Sequence, residues 1–287
     1  MNISIIKTMR LAATAIFLPV LLGTLPCEAR EMPDDEEDPY FLLAGEASRA
    51  IDSLDYETAA ARLREAIAMR PDSPENVLLM SNLGMVYSYM DKDSLALQTL
   101  SDALAIAPSM KTVLTNRARV YLKNGRNREA YADLNTVIKA DSANVEARYL
   151  HGLLSLGARD LGAAEADFRV VADAAPDETS TAVCMSALLS AQGRHKEATP
   201  YLRKLVSDIG EAEDYAALAQ NLLDLEELTE ASKTIGDGLK KYPKSGELYF
   251  CRARLNRDRY SYKEAKEDAA KASSLGIERA RIKTLGL

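Results

Sequence analysis

The strongest constraint on the fold of this chain is a repeat of about 34 residues that runs through most of its length. One small residue recurs at successive spacings of 37, 34, 34, 34, 33 and 34 residues. The members of this alanine column are Ala59, Ala96, Ala130, Ala164, Ala198, Ala231 and Ala265. Twelve residues after the alanine, four of the first six repeats carry proline, at Pro71, Pro108, Pro176 and Pro243. Such a period predicts a linear array of similar units, each of which buries its apolar face against its neighbours.

The apolar spacing inside one repeat predicts two helices. In the second repeat, four residues lie at i, i+3, i+4 and i+7, the spacing of one helix face: Met80, Leu83, Gly84 and Tyr87. A second helical pattern follows in the segment 96–103, and only the polar turn 91–93 separates the two. A turn of that length joins antiparallel helices. Because Gly84 and Ala96 are small, we expect the two helices of this pair to approach closely.

These columns resemble the tetratricopeptide repeat, whose pattern runs W-x2-L-G-x2-Y, then A-x3-F, then P. The second repeat matches it best, with Leu83, Gly84, Tyr87, Ala96 and Pro108. No repeat carries the opening tryptophan, and the resemblance covers roughly residues 40–279. It implies an all-α fold, a right-handed superhelical solenoid of about seven antiparallel helix pairs.

The repeat register divides the chain into four regions. We expect a signal peptide at 1–29, an acidic linker at 30–39, the solenoid at 40–275 and a C-terminal capping helix at 276–287. The repeat units are expected at about 40–73, 77–110, 111–144, 145–178, 179–211, 212–245 and 246–279.

The N-terminal segment has the features of an export signal. Lys7 and Arg10 precede an almost wholly apolar run, 11–25, and small residues then favour cleavage after Ala29. The run is shorter than the ~20 residues of a membrane-spanning helix. Two alternatives stay open: a lipoprotein signal that is lipidated at Cys27, and an uncleaved anchor. We therefore predict an exported protein of the periplasm or cell envelope, of bacterial type, with the membrane involved only through such a lipid anchor.

The residues that usually carry catalysis are few and scattered. His151 and His195 are the histidines of the chain, and neither pairs with a cysteine or carboxylate at metal-ligand spacing. Cys184 and Cys251 occupy equivalent sites two repeats apart, roughly 20 Å, which is too far for a disulfide. No nucleotide-binding or hydrolase motif is present. We predict no enzymatic activity, no cofactor and no metal.

The predicted function is a non-catalytic scaffold that binds a protein or peptide partner. In the family that the repeats resemble, the first helix of each pair lines the concave surface where partner segments bind. Rotation about the helix axis places nine candidate residues there: Leu78, Met85, Tyr89, Arg119, Lys123, Tyr149, Leu153, Phe250 and Arg254. We expect the groove to centre on Tyr89, Arg119, Lys123, Tyr149 and Leu153, since exposed aromatic and arginine side chains are typical interface anchors. An ordinary helical surface is the alternative at these positions.

Two further inferences concern partners. The formal net charge of −7 argues against a general nucleic-acid binder, whose affinity depends on lysine and arginine neutralising phosphates. The alternative function is a lipid-anchored accessory subunit of an outer-membrane assembly or transport complex. The oligomeric state does not follow from the sequence.

Overall fold

The computed structural model describes residues 38–176 and 178–287. The predicted signal peptide and residues 30–37 of the predicted linker lie outside the described residues. The described residues belong to two compact units, 38–154 and 155–287, and the division falls within one helix.

The described part of the chain is helical and contains no strand. Seven pairs of long helices follow one another: α1 Pro39–Asp52 and α2 Tyr56–Met69; α3 Asn76–Tyr89 and α4 Asp93–Ile106; α5 Lys111–Lys123 and α6 Asn127–Ala140; α7 Val145–Gly157 and α8 Leu161–Ala174; α9 Thr179–Ala191 and α10 His195–Asp208; α11 Ala212–Asp224 and α12 Leu228–Lys241; α13 Gly246–Asp258 and α14 Tyr262–Ser274. A short helix, α15 Arg279–Lys283, follows them. The predicted all-α class of helix pairs is confirmed.

Local sequence explains where several helices begin. Asp38, Asp55 and Asp160 each accept a hydrogen bond from a backbone N–H in the first turn of the next helix, at 3.0–3.1 Å. These side chains satisfy donors that the helix itself leaves unpaired. Pro39 stands in the first turn of α1, where its missing N–H costs nothing.

One turn geometry joins the two helices of every pair. Each turn contains a residue with φ between 56° and 73°, the left-handed region. The next N–H donates to a carbonyl oxygen five residues earlier, at 2.8–2.9 Å, which is the Schellman pattern of a helix end. The seven left-handed positions are Leu54, Asp91, Gly125, Arg159, Gly193, Glu226 and Tyr260. We call this set the turn column.

The alanine column lies in the buried interior of the helix pairs. All seven alanines are fully buried. In the second pair, a Cβ added to Gly84 would lie 2.6 Å from Leu100 Cγ, so α3 and α4 touch at this glycine. The expected close approach of small residues is confirmed.

The C-terminal segment covers the last pair. The short helix α15 occupies part of the predicted cap, and the buried Leu285 after it packs with Phe250 and Ala269. This contact closes the apolar face that a further repeat would otherwise cover.

Candidate functional site

The predicted site residues lie on first helices, in two separate groups. Residues on α3, α5 and α7 belong to the unit 38–154: Leu78, Met85, Tyr89, Arg119, Lys123, Tyr149 and Leu153. Phe250 and Arg254 lie on α13, in the unit 155–287. Within each unit, we call the surface formed by its odd-numbered helices the first-helix face.

Four of the nine candidates are buried, so the expectation that they are exposed anchors is wrong for them. Met85, Tyr149, Leu153 and Phe250 are each no more than 5% exposed. For Met85, the reason is that consecutive first helices pack on each other, here α3 on α5. Phe250 is instead buried against Ala269 of α14 and Leu285 of the C-terminal segment. A side chain between two such helices faces its neighbour as well as the groove. Leu78 is half-buried, and whether any of the nine binds a partner stays a prediction.

Tyr89 forms the aromatic centre of the face in the unit 38–154. Its ring stacks on that of Tyr56, with centroids 5.2 Å apart and planes inclined by 21°. Burial raises the pKa of the Tyr89 phenol, against the opposing effect of the nearby Arg119 charge. The phenol therefore stays neutral over the physiological range and can donate or accept a hydrogen bond.

The two cations beside Tyr89 already have partners within the chain. Arg119 Nη2 lies 2.5 Å from Glu146 Oε1. Lys123 Nζ donates to the Ser88 carbonyl oxygen at 2.5 Å, to Asp91 at 2.8 Å and to Asp93 at 2.9 Å. Burial opposes the charge of Lys123, but the hydrogen bonds to Asp91 and Asp93 raise its pKa overall. Lys123 thus fastens α5 to the turn between α3 and α4.

The first-helix face of the unit 155–287 is also a set of ion pairs. Arg254 Nη1 lies 2.7 Å from Asp224 Oδ1, which joins α13 to α11. Arg257 Nη2 lies 2.7 Å from Asp258 Oδ1. The side chains of these four residues are 23–31% exposed, so they are reachable from solvent while held in place. Such a surface offers fixed donors and acceptors for polar recognition.

A cleft of about 540 Å³ lies near the C-terminal end of the unit 155–287. Its lining comes from the starts of α11 and α13, the segment 241–245 and the segment 275–278 with Arg281. Arg281 makes a bidentate pair with Glu247 at 2.7 and 2.8 Å, and its guanidinium lies 4.6 Å from the Phe250 ring centroid. Lys241 Nζ and Tyr242 Oη both donate to the Gly210 carbonyl oxygen at 2.8 Å. Ion pairs and hydrogen bonds among its own side chains therefore hold the cleft wall in place.

The histidines and the two described cysteines contact neighbouring residues of the chain. The His151 ring contacts that of Tyr131, with centroids 4.4 Å apart. His195 is the first residue of α10, and its Nδ1 lies 3.0 Å from Asn221 Oδ1. Burial raises the pKa of the Cys184 and Cys251 thiols to about 12, so neither is an activated nucleophile. Cys184 and Cys251 are both free. Among the described residues, no cluster of three or more metal-ligating side chains is present.

Sequence reasoning missed two bidentate ion pairs inside helix pairs. Arg117 donates to both carboxylate oxygens of Asp133 at 2.8 Å, and Arg252 does the same to Asp268 at 2.9 and 2.7 Å. A signal was present: Arg and Asp stand 16 residues apart at equivalent positions of the third and seventh repeats. Both arginines replace the leucine that Leu83 represents in the second repeat.

No described helix has the length and apolar character needed to cross a bilayer.

Comparisons with known proteins agree with this architecture. The model of the tetratricopeptide repeat family matches residues 115–179. A tetratricopeptide repeat protein from Parabacteroides merdae has 25% sequence identity and a TM-score of 0.63, over 86% of this chain and 97% of its own. PilW, described as a widely conserved type IV pilus biogenesis factor, has 20% identity and a TM-score of 0.65, over 74% of this chain and 98% of its own. PilF of Pseudomonas aeruginosa has 20% identity and a TM-score of 0.65, over 73% and 95% of the two chains. No curated protein sequence matches.

The fold and the polar first-helix faces define a helical-repeat protein. Residues 115–179 match the tetratricopeptide repeat model, and the fold is similar to that of tetratricopeptide repeat proteins.

Proposed function

We propose that this protein is an exported, non-catalytic scaffold that binds a protein or peptide segment on its first-helix face. The observation that carries the proposal is the arrangement around Tyr89. A stacked aromatic pair, Tyr56 and Tyr89, lies beside the Arg119–Glu146 ion pair. Aromatic and arginine side chains are the usual anchors of protein interfaces, and groups that are already held in place lose little entropy on binding.

The ion pairs favour a polar segment on this face. A partner carboxylate can replace Glu146 on Arg119, and a partner amide can bridge the two charges. An uncharged apolar segment gains neither contact and would desolvate the pair, at a cost that burial alone offsets poorly. The expected partner is a polar segment that contains carboxylates or backbone groups free to hydrogen-bond.

A matched pair of substitutions tests the proposal. Thr112 is exposed on α5, a first helix, and Thr136 is exposed on α6, a second helix. Affinity capture from the native envelope with residues 30–287 should retain a partner that Thr112→Arg loses and Thr136→Arg keeps. Both variants should keep the wild-type melting temperature, because both sites are exposed. Equal retention by both variants, or loss only with Thr136→Arg, would contradict binding on the first-helix face.

A lipid-anchored accessory subunit of an outer-membrane assembly or transport complex is the second candidate. Cys27 favours it, and the similar fold of PilW, described as a pilus biogenesis factor, supports it. Metabolic labelling with a clickable fatty acid separates the two candidates. If the protein incorporates the label and Cys27→Ser abolishes this incorporation, the anchor is supported. If its intact mass is that of a chain starting at Arg30, cleavage after Ala29 is supported.

A further inference from the structure

The last position of the turn column carries an exposed aromatic side chain. Tyr260 has φ 62°, a conformation that favours glycine, and its side chain is 79% exposed. Among the large hydrophobic side chains of the described residues, none is more exposed. Two other positions of the column, Gly125 and Gly193, show that glycine fills the same turn. Tyrosine at this position thus strains the backbone without burying its ring.

A second exposed tyrosine lies next to Tyr260 and enlarges the aromatic surface. Tyr262, the first residue of α14, is 51% exposed, and its ring meets that of Tyr260 edge to face, with centroids 6.3 Å apart. Edge-to-face contact leaves the electron-rich face of one ring open to solvent. A cation placed over such a face is attracted by it.

Acidic side chains lie on the turn next to the two rings. Arg259 Nη2 donates to the Leu228 carbonyl oxygen at 2.8 Å, so the turn at 258–261 lies beside the turn at 225–228. Glu226 is the equivalent of Tyr260 in the preceding repeat, and such positions lie roughly 10 Å apart. Glu226 and Glu227 are exposed, and neither forms an ion pair within the part of the chain that the structure describes.

The nearby cations offset only part of this charge. Arg259 hydrogen-bonds the neutral Leu228 carbonyl oxygen and Ser232 Oγ at 3.5 Å, so it keeps its positive charge and balances one of the two glutamates. Lys263 is exposed after Tyr262, and the exposed Glu264 beside it carries the opposite charge.

We propose that Tyr260 and Tyr262, with Glu226 and Glu227, form a docking patch for a basic protein segment. We call this set the tyrosine patch. A lysine or arginine of the partner stacks on a tyrosine ring, and its neighbours pair with the glutamates. The patch lies on the turns between helices and is separate from the first-helix face, so it does not depend on the function proposed above.

The turn column supplies variants that remove the patch without weakening the fold. Tyr260→Gly deletes the ring, relieves the backbone and changes no charge. Leu54→Gly relieves the same strain at φ 61° in the first pair and leaves the patch intact. The probe is a fluorescein-labelled 12-residue peptide of alternating lysine and serine, and its fully N-acetylated counterpart is the uncharged control.

Fluorescence anisotropy at low salt measures the outcome. We expect Tyr260→Gly to weaken binding of the lysine peptide by about tenfold, Leu54→Gly to leave it unchanged, and the acetylated peptide to bind poorly. Equal binding by wild type and Tyr260→Gly would reduce the interaction to general attraction by an acidic protein and overturn the proposal. Failure of the wild type to bind, or equal binding of the acetylated peptide, would overturn it as well.

Discussion

At the scale of single residues, glycines with different surroundings separate packing from helix propensity. Gly84 touches Leu100 across the second helix pair, and an added Cβ would lie 2.6 Å from Leu100 Cγ. Gly45 lies inside α1, and a Cβ added to it would have no described atom outside its own helix within 4 Å. The two sites share a helical backbone and differ in the space around them.

We therefore expect opposite effects from the same substitution. Gly84→Ala should destabilise the chain by about 1–3 kcal/mol, because a buried leucine and a helix must shift. Gly45→Ala should stabilise it by about 0.5–1 kcal/mol, through helix propensity alone. Urea denaturation followed by circular dichroism measures both, and a Gly84→Ala variant as stable as wild type would contradict the observed packing.

A second prediction at the scale of single residues concerns how Asp214 makes stability depend on pH. Burial raises the pKa of this carboxyl from 3.8 to about 6, although a hydrogen bond from the Glu211 N–H opposes the shift. The folded chain therefore takes up this proton more readily than the unfolded chain does. Above pH 6, the charged carboxylate lowers the free energy of unfolding. This loss of stability disappears as the pH falls from about 6 towards 4.

Asp214→Asn keeps an oxygen acceptor for Glu211 and removes the charge. Since the hydrogen bond from Glu211 already offsets part of the burial cost, we expect a gain of only about 1 kcal/mol at pH 7.5, and no gain near pH 4. Asp141→Asn is the control of opposite sign, because a hydrogen bond from Lys111 lowers the pKa of Asp141. Melting temperatures at the two pH values measure both effects. A Tm difference for Asp214→Asn that does not change with pH would contradict the account.

At the scale of elements, ion pairs differ widely in how much they stabilise the fold. Arg117 on α5 and Asp133 on α6 form a bidentate pair whose side chains are 21% and 9% exposed. Arg194 and Glu197 also pair at 2.7 Å, but both side chains are more than 40% exposed. Solvent screens the second pair, and removing one partner of the first leaves a charge in a poorly solvated position.

Asp133→Ala should therefore cost roughly 2–3 kcal/mol of stability, and Glu197→Ala should cost much less. The same denaturation measurement compares them. Replacing both Arg117 and Asp133 by leucine should recover most of the loss, because two apolar residues need no ion partner. Similar costs for the two single variants would show that burial does not set the value of these pairs.

The positive φ angles in the turns could be predicted from the sequence only in part. Gly125 and Gly193 are recognisable turn residues, since glycine readily adopts positive φ. Leu54, Arg159 and Tyr260 adopt the same geometry because the helices on either side fix the ends of the turn. Local preference gives no sign of such residues, and only their place in the 34-residue register identifies them.

At the scale of the whole chain, the register predicted the pairing of helices and the buried alanine column. It did not predict how the first-helix face is filled. Tyr149 faces the groove by rotation about its helix, yet it is 1% exposed. Arg119 and Lys123 were expected as free anchors, and each has carboxylate partners from another helix or turn. A helical wheel describes one helix, whereas exposure and ion pairing depend on the neighbouring repeats.

The central claim is that the first-helix face, and not the second helices, binds a protein segment. Site-specific photocrosslinking tests it most directly. A photoreactive amino acid is placed at Thr112 and Gln220 on first helices, and at Thr136 and Lys233 on second helices. The account predicts that irradiation in the native envelope yields a crosslinked protein from position 112 or 220 and none from 136 or 233. Crosslinks from the second-helix positions alone, or from none of the four, would contradict it.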